Sequence, residues 1–388
     1  MKNIFINLCA LLSVFCIFAF ISCSGDDDKQ QITEEPELPL IILDDVIGRA
    51  GIGRIQISFS VPNNTVKKVT IVNKNTNGTT EIAINNKRGN VETVFDNLPE
   101  GTYFFSLTAF DDSGNSSTPV EVIAKSYGQG FLANLRAENR RTKSVTALGN
   151  GVGIIWSELY GDEIKFSHKD LTGKDTVTIS TGTKYSSFLC DYEAGVKYQT
   201  GIRPEPTAID IIYLEPQALI ASSNKIPVFN STDTCVIVAG DFDFGGEGVG
   251  FYDASKRSNY NAYRVEMGDE QCSAIDIPSN GNIQNITANE WLAYTVIVQD
   301  DGVYEFDANL TVNGNNNTVH LMVDGRIYPS FPLMNNYSWT TYYWHFELNA
   351  IEKPTVNLTA GKHKIVFGME AVATFYLHAL KFIYKEPL

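Results

Sequence analysis

Between Arg54 and Ser60 the side chains alternate strictly, with Ile55, Ile57 and Phe59 on one parity and Arg54, Gln56, Ser58 and Ser60 on the other. Successive side chains of an extended backbone point to opposite faces, so this run can bury one face only as a β-strand laid over a core. The two-residue period returns at Val69 and Ile71, at Phe105, Leu107 and Ala109, and at Val152, Ile154 and Trp156. Composition agrees with many short strands: 43% of residues are hydrophobic, 11% aromatic and only 19% charged, with 30 glycines for turns. The 388 residues exceed one sandwich domain, and the expected class is all-β. A net charge of −15, with no dense Lys/Arg run, argues against a phosphate-tracking surface, so nucleic acid is not an expected partner.

The N-terminus reads as a targeting segment. Met1-Lys2-Asn3 precede an apolar stretch from Ile4 to Phe20, the layout of a secretion signal rather than of a membrane span. It closes on Ser22-Cys23, which resembles the lipobox of bacterial lipoproteins and implies cleavage after residue 22 and lipidation of Cys23. Ser24-Gly25-Asp26-Asp27-Asp28 then resembles the acidic export signal of Bacteroides-type surface lipoproteins. The resemblance implies an outer-membrane protein held by its lipid and facing the cell exterior. Residues 23–40, with Glu34, Glu35, Pro36 and Pro39, read as an acidic flexible tether. Beyond Cys23 three cysteines remain, Cys190, Cys235 and Cys272; Cys235 with Cys272 is the plausible disulfide, and separate buried thiols are the alternative.

Residues 41–126 carry a hairpin around Asn75–Thr80 and the phrase Leu98-Pro99-Glu100-Gly101-Thr102-Tyr103, followed by Phe105, Leu107 and Ala109. The pattern resembles a fibronectin type III or immunoglobulin-like sandwich, and the segment also resembles an N-terminal domain of uncharacterised family found in such surface lipoproteins. A diverged second sandwich is expected over 127–224, where Val152, Ile154 and Trp156, Ile164-Lys165-Phe166, Val177-Thr178-Ile179 and Tyr192–Tyr198 repeat the order of the first; an irregular connecting domain is the alternative.

From Cys235 the texture changes to strands separated by longer Gly and Asn loops. Asp241–Asp253, Tyr263-Arg264, Asn289-Glu290-Trp291-Leu292-Ala293-Tyr294-Thr295-Val296, Asp301–Phe306, His320–Gly325, Ser338–Tyr342, Leu358–His363 and Leu377–Phe382 follow one another in an order that resembles family-six carbohydrate-binding modules. The resemblance implies a β-jelly roll over 230–388. Asp300-Asp301-Gly302 and Asp324-Gly325 are expected as tight turns, and Trp291 as a residue of the core.

In such modules a pyranose stacks on loop aromatics at the rim while polar neighbours hold its hydroxyls. The rim tryptophan corresponds to Trp339, within Asn335-Asn336-Tyr337-Ser338-Trp339, so Trp339, Tyr337 and Asn336 are expected to contact ligand. The second stacking aromatic of the family falls near Asn285 or Ile286, and its last-strand asparagine on Tyr376; Tyr376 and His378 are the expected replacements. A structural calcium common in the family lacks its usual glutamate, since that phrase reads Ala239-Gly240-Asp241, but Asp241, Asp243, Glu247, Asp253 and Glu266 remain as oxygen donors.

No HExxH, G-x-S-x-G or P-loop phrase is present, so an enzyme is not expected. The sequence points to a non-catalytic surface lipoprotein that binds extracellular polysaccharide or oligosaccharide beside other glycan-uptake proteins. The alternative is a structural or adhesive protein whose jelly roll contacts another protein.

Overall fold

The computed structural model describes residues 41–84, 88–254, 262–269, 275–314, 317–336, 338, 341–349, 352–370 and 375–388. Strands dominate, and the α-helices among these residues, Gln129–Ala133, Ala262–Val265 and His345–Leu348, are each a single turn or little more. The architecture is all-β, in three successive groups of sheets.

In the first group the alternation behaves as read: Ile55, Ile57, Phe59, Val69, Ile71, Phe105, Leu107 and Ala109 are buried in one cluster. The strand Asp44–Ile52 pairs antiparallel with Ile55–Val61 over Asp44–Ala50 and then parallel with Val120–Tyr127 at Gly51 and Ile52. This switch joins the two layers into one continuous seven-stranded path instead of two separate sheets. The Pro-Glu-Gly-Thr-Tyr phrase has a mechanical role, because the Tyr103 hydroxyl donates to the Pro99 carbonyl at 3.0 Å and pins the corner that enters the next strand.

The second group sandwiches Gly151–Trp156 and its neighbours against Glu163–Lys169 and Lys197–Ile202. Trp156 fills the centre beside Phe166 and Tyr198, and its indole N–H is satisfied by Ser186 at 3.0 Å.

The third group is a jelly-roll-like pair of sheets. One centres on Trp291–Val298, Gly361–Met369 and Asn317–Val323; the other centres on Cys235–Val238, Phe375–Glu386 and Gly302–Val312. Between them lie Phe306, Leu310, Leu321, Phe367 and Phe382, among other apolar side chains. Asp324 and Gly325 have φ of 49° and 84°, the left-handed pair that a two-residue hairpin turn requires, and they return the chain to Arg326–Ile327.

Cys235 does not form the expected bridge: it is a free thiol packed against the core of the third group, and Cys272 lies outside the described residues. Burial pushes the Cys235 thiol up to about 11 and that of Cys190, also free, up to about 12.

The second and third groups touch through backbone. The Asn150 side chain donates to the Phe244 carbonyl at 2.8 Å and accepts from the Phe244 N–H at 2.9 Å, both buried. A Cβ on Gly149 would lie 1.8 Å from the Thr295 carbonyl oxygen, and one on Gly153 would lie 2.0 Å from that of Met267, so glycine is what permits the contact.

Candidate functional site

The inward residues of three adjacent strands are Leu292, Tyr294, Val296 and Val298; Ile365, Phe367 and Met369; and Val319, Leu321 and Val323. The other parity must therefore face out. Trp291 stands opposite Gly368, which stands opposite His320; one step along, Ala293, Val366 and Met322 form the next row, and Thr295 is paired with Lys364 beyond it. The expectation that Trp291 is a core residue is thus corrected. Trp291 is only partly buried, is no member of the core cluster, and forms part of the floor of an open cleft of about 640 Å³ on the outer face of this sheet.

Glycine at 368 shapes that floor. The His320 ring crosses directly over it, and a Cβ there would meet the imidazole at 2.5 Å. The His320 Nδ1 lies 3.2 Å from a Glu370 carboxylate oxygen, though without the alignment of a hydrogen bond. At the same end, Glu290 accepts from the Thr287 N–H and hydroxyl, each at 2.8 Å. Burial, and after it the neighbouring Asp253 carboxylate, raise its pKa from the ordinary value. At the far end Asp324 is held by His363 at 2.6 Å and by the Lys364 N–H at 2.8 Å, and the Lys364 ammonium donates to the Val249 carbonyl at 2.9 Å.

The loop that carries Gly248 and Val249 is the side wall of the cleft, and the residues before it anchor it. Arg264, fully buried, pairs with Asp269 at 2.7 Å, donates to the Phe242 carbonyl at 2.6 Å and lies over the rings of Phe242 and Phe244. Asp243 accepts from the Thr295 N–H and hydroxyl, each at 2.8 Å.

Two of the acidic residues expected around calcium, Asp241 and Asp243, are engaged in such bonds. Asp241 is committed to Lys225 at 2.9 Å and Tyr263 at 2.7 Å, Asp243 to Thr295, and Glu247 and Glu266 are exposed. Among the described residues no group of three or more His, Cys, Asp or Glu side chains is placed to hold a metal.

Of the expected rim residues, Asn336, Tyr376 and His378 are placed away from the cleft. Trp339 and Tyr337 lie outside the described residues. Asn336 spends its amide on the backbone, accepting from the Val312 N–H at 2.8 Å and donating to the Leu310 carbonyl at 3.3 Å. Tyr376 and His378 share the outer face of the opposite sheet; His378 bonds Asn282, and its ring lies 5.4 Å from that of Tyr342. Asn336 belongs to the same end of that sheet, since Val312 pairs with Phe375 and Thr311 with Tyr376. Asn336, Tyr376 and His378 therefore belong to a different sheet from the cleft. Cys23 lies outside the described residues.

One sequence signal could have found the cleft. Thr295, the sole hydroxyl-bearing residue among the apolar side chains of Trp291–Val298 apart from the tyrosine, shares its parity with Trp291, and Lys362 and Lys364 share theirs with Gly368.

Residues 23–212 match the model of a family described only as a domain of unknown function, and residues 253–383 match that of the carbohydrate binding module, family 6. Solved structures similar to parts of this chain include the carbohydrate binding module of Cellvibrio mixtus lichenase 5A in complex with cellotriose, with 19% identity over 27% of this chain and 78% of that one and a TM-score of 0.23. A ruminal GH26 endo-β-1,4-mannanase shows 16% identity, covering 39% of this chain and 25% of that one, with a TM-score of 0.23. The fibronectin(III)-like modules of Clostridium thermocellum CbhA show 14% identity, covering 47% of this chain and 95% of theirs, with a TM-score of 0.27. The chain spans only a quarter of the length of the mannanase. No curated protein matches the chain.

Proposed function

We propose that this chain is a non-catalytic surface lipoprotein that holds extracellular glycan in the outer-face cleft of its C-terminal jelly roll, in support of polysaccharide capture or uptake. The observation that carries the reading is the Trp291–Gly368–His320 row, an indole beside an imidazole that lies over the glycine along one open floor, within the segment matching the carbohydrate binding module family. An aromatic side chain offers the C–H face of a pyranose a stacking partner, and the ring of carboxylates, amide and imidazole around it can bond sugar hydroxyls.

Cys23 would carry the lipid that anchors the chain in the outer membrane, residues 23–40 would be the tether, and the sandwiches of 41–126 and 127–224 would act as a stalk that holds the jelly roll of 230–388 away from the cell. Neighbouring glycan-uptake proteins would be its partners. A second contact surface on the opposite sheet, at Asn336, Tyr376 and His378, is favoured by one observation: the buried Thr311 hydroxyl beside Tyr376 has no hydrogen-bond partner among the described residues.

The test is binding of the full chain to a panel of plant, host and microbial glycans, with Trp291→Ala and Tyr376→Ala beside it. Binding abolished by Trp291→Ala supports the cleft, and binding abolished by Tyr376→Ala alone moves the site to the opposite sheet. Absence of binding to every glycan leaves the protein-contact reading.

A further inference from the structure

The second sandwich stands one row beyond the lining at one end of the cleft, where Asp191 bonds Lys362, and we infer that the cleft therefore takes the terminus of a glycan chain rather than an internal stretch. This inference rests on the glycan reading proposed above. The floor of the cleft includes the strand Gly361–Met369, whose outward residues Gly368, Val366 and Lys364 line it and are followed by Lys362. At the Gly368 end it is bordered by Asn289 and Glu370. At the other end two barriers cross the path. Lys364 reaches sideways to the Val249 carbonyl at 2.9 Å and joins the floor to the wall loop. One row further, Lys362 is bonded to Asp191 of the second sandwich at 2.5 Å, and the side chain of Leu189, from the same segment, packs against Gly245 at the base of the loop.

This stop is built rather than incidental. The Leu189–Asp191 segment is held in place by the Asn150 clamp on Phe244 and by the close approach of Gly149 to the Thr295 carbonyl. The first bonds a side chain to buried backbone and the second brings two backbones together, and neither admits much sliding. A polymer running along the floor from the Trp291 end would meet the second sandwich after about six residues of strand, roughly 20 Å. Only a chain whose last sugar ends before Lys362 fits without parting the two bodies.

The test uses the full chain and soluble β-glucan, xylan, mannan and α-glucan, each before and after limited depolymerisation, with Trp291→Ala as the marker of the cleft. If the inference holds, a cut that raises the number of chain ends about tenfold raises the protein bound per gram about tenfold at unchanged Kd, and Trp291→Ala abolishes the increase. Binding that is lost in Trp291→Ala but does not change per gram on shortening overturns the inference and leaves the glycan reading standing. Binding that survives Trp291→Ala overturns it by placing the site elsewhere, and binding to no polymer removes the glycan reading and the inference together. Should Trp291→Ala fail to fold, Gly368→Ala marks the same floor from a different strand.

Discussion

The imidazole of His320 lies across the Cα of Gly368, at a distance where a single added methyl would touch the ring at 2.5 Å. A side chain is displaced more cheaply than backbone, so Gly368→Ala should swing His320 away while leaving the sheet intact. Glycan affinity is expected to fall at least about tenfold, or about 1.4 kcal/mol, with little change in melting temperature. Titration calorimetry beside a thermal melt reads both quantities.

Trp291 and Leu292 are adjacent in sequence and face opposite ways. Leu292→Ala removes a buried side chain and should cost about 2–5 kcal/mol of stability. Trp291→Ala should cost less stability and abolish binding. Denaturant unfolding and a binding assay on the two variants separate core from cleft, and a larger stability loss at Trp291 than at Leu292 would return it to the core.

Charge around the cleft is unbalanced. Glu290, Asp324 and Glu370 line it, against His320 and a Lys364 already bonded to Val249. Uronate-bearing glycans should bind more weakly than their neutral counterparts, and high salt should narrow the gap by screening. A neutral and an acidic polymer with the same backbone, compared at two ionic strengths, check this.

The clamp between the second and third bodies can be opened from either side. Asn150→Ala strips both partners from the buried N–H and carbonyl of Phe244 and should cost about 1–3 kcal/mol. Gly149→Ala drives a Cβ into the Thr295 carbonyl and should cost more. Calorimetry should show the two bodies unfolding at more widely separated temperatures in both variants.

His345 provides a pH dependence. It is fully buried, its Nε2 accepts the Met334 N–H at 3.0 Å, and burial lowers its pKa from an ordinary 6.5 to about 4. The unfolded chain then binds the proton more readily between those values, so stability is lost as pH falls from 6.5 through 4. The loss is about 3 kcal/mol at most. Unfolding curves between pH 4 and 7 should show a steeper dependence for the native protein than for His345→Gln; equal slopes would mean that the ring is not buried neutral.

Much of the fold was legible because local rules carry it. Strict alternation at Ile55–Phe59 marks the buried face on its own, since only one parity is apolar. Asp324-Gly325 announces its turn because few residue pairs tolerate two positive φ angles in succession. The order of phrases after Cys235 points to the jelly roll, and residues 253–383 match that module family.

The strand Trp291–Val298 shows where sequence stops. Nearly every residue in it is apolar, so both parities could face a core, and which one does depends on what lies across each face. The opposing sheet takes Leu292, Tyr294 and Val296, which leaves Trp291 outside with Gly368 as its neighbour. Cys235 could not be assigned a partner from spacing, because a disulfide needs two side chains brought together in space, and here the thiol packs into the core instead. The contact one row beyond the cleft is likewise invisible in the sequence. Asp191 and Lys362 are 171 positions apart, and only the seating of one body on the other brings them together. By itself the sequence determined strands, turns and the kind of module, because these follow from neighbours along the chain. The tertiary structure alone decided which face became the cleft and where it ends, because packing between distant segments selects one of several faces that local pattern leaves equivalent.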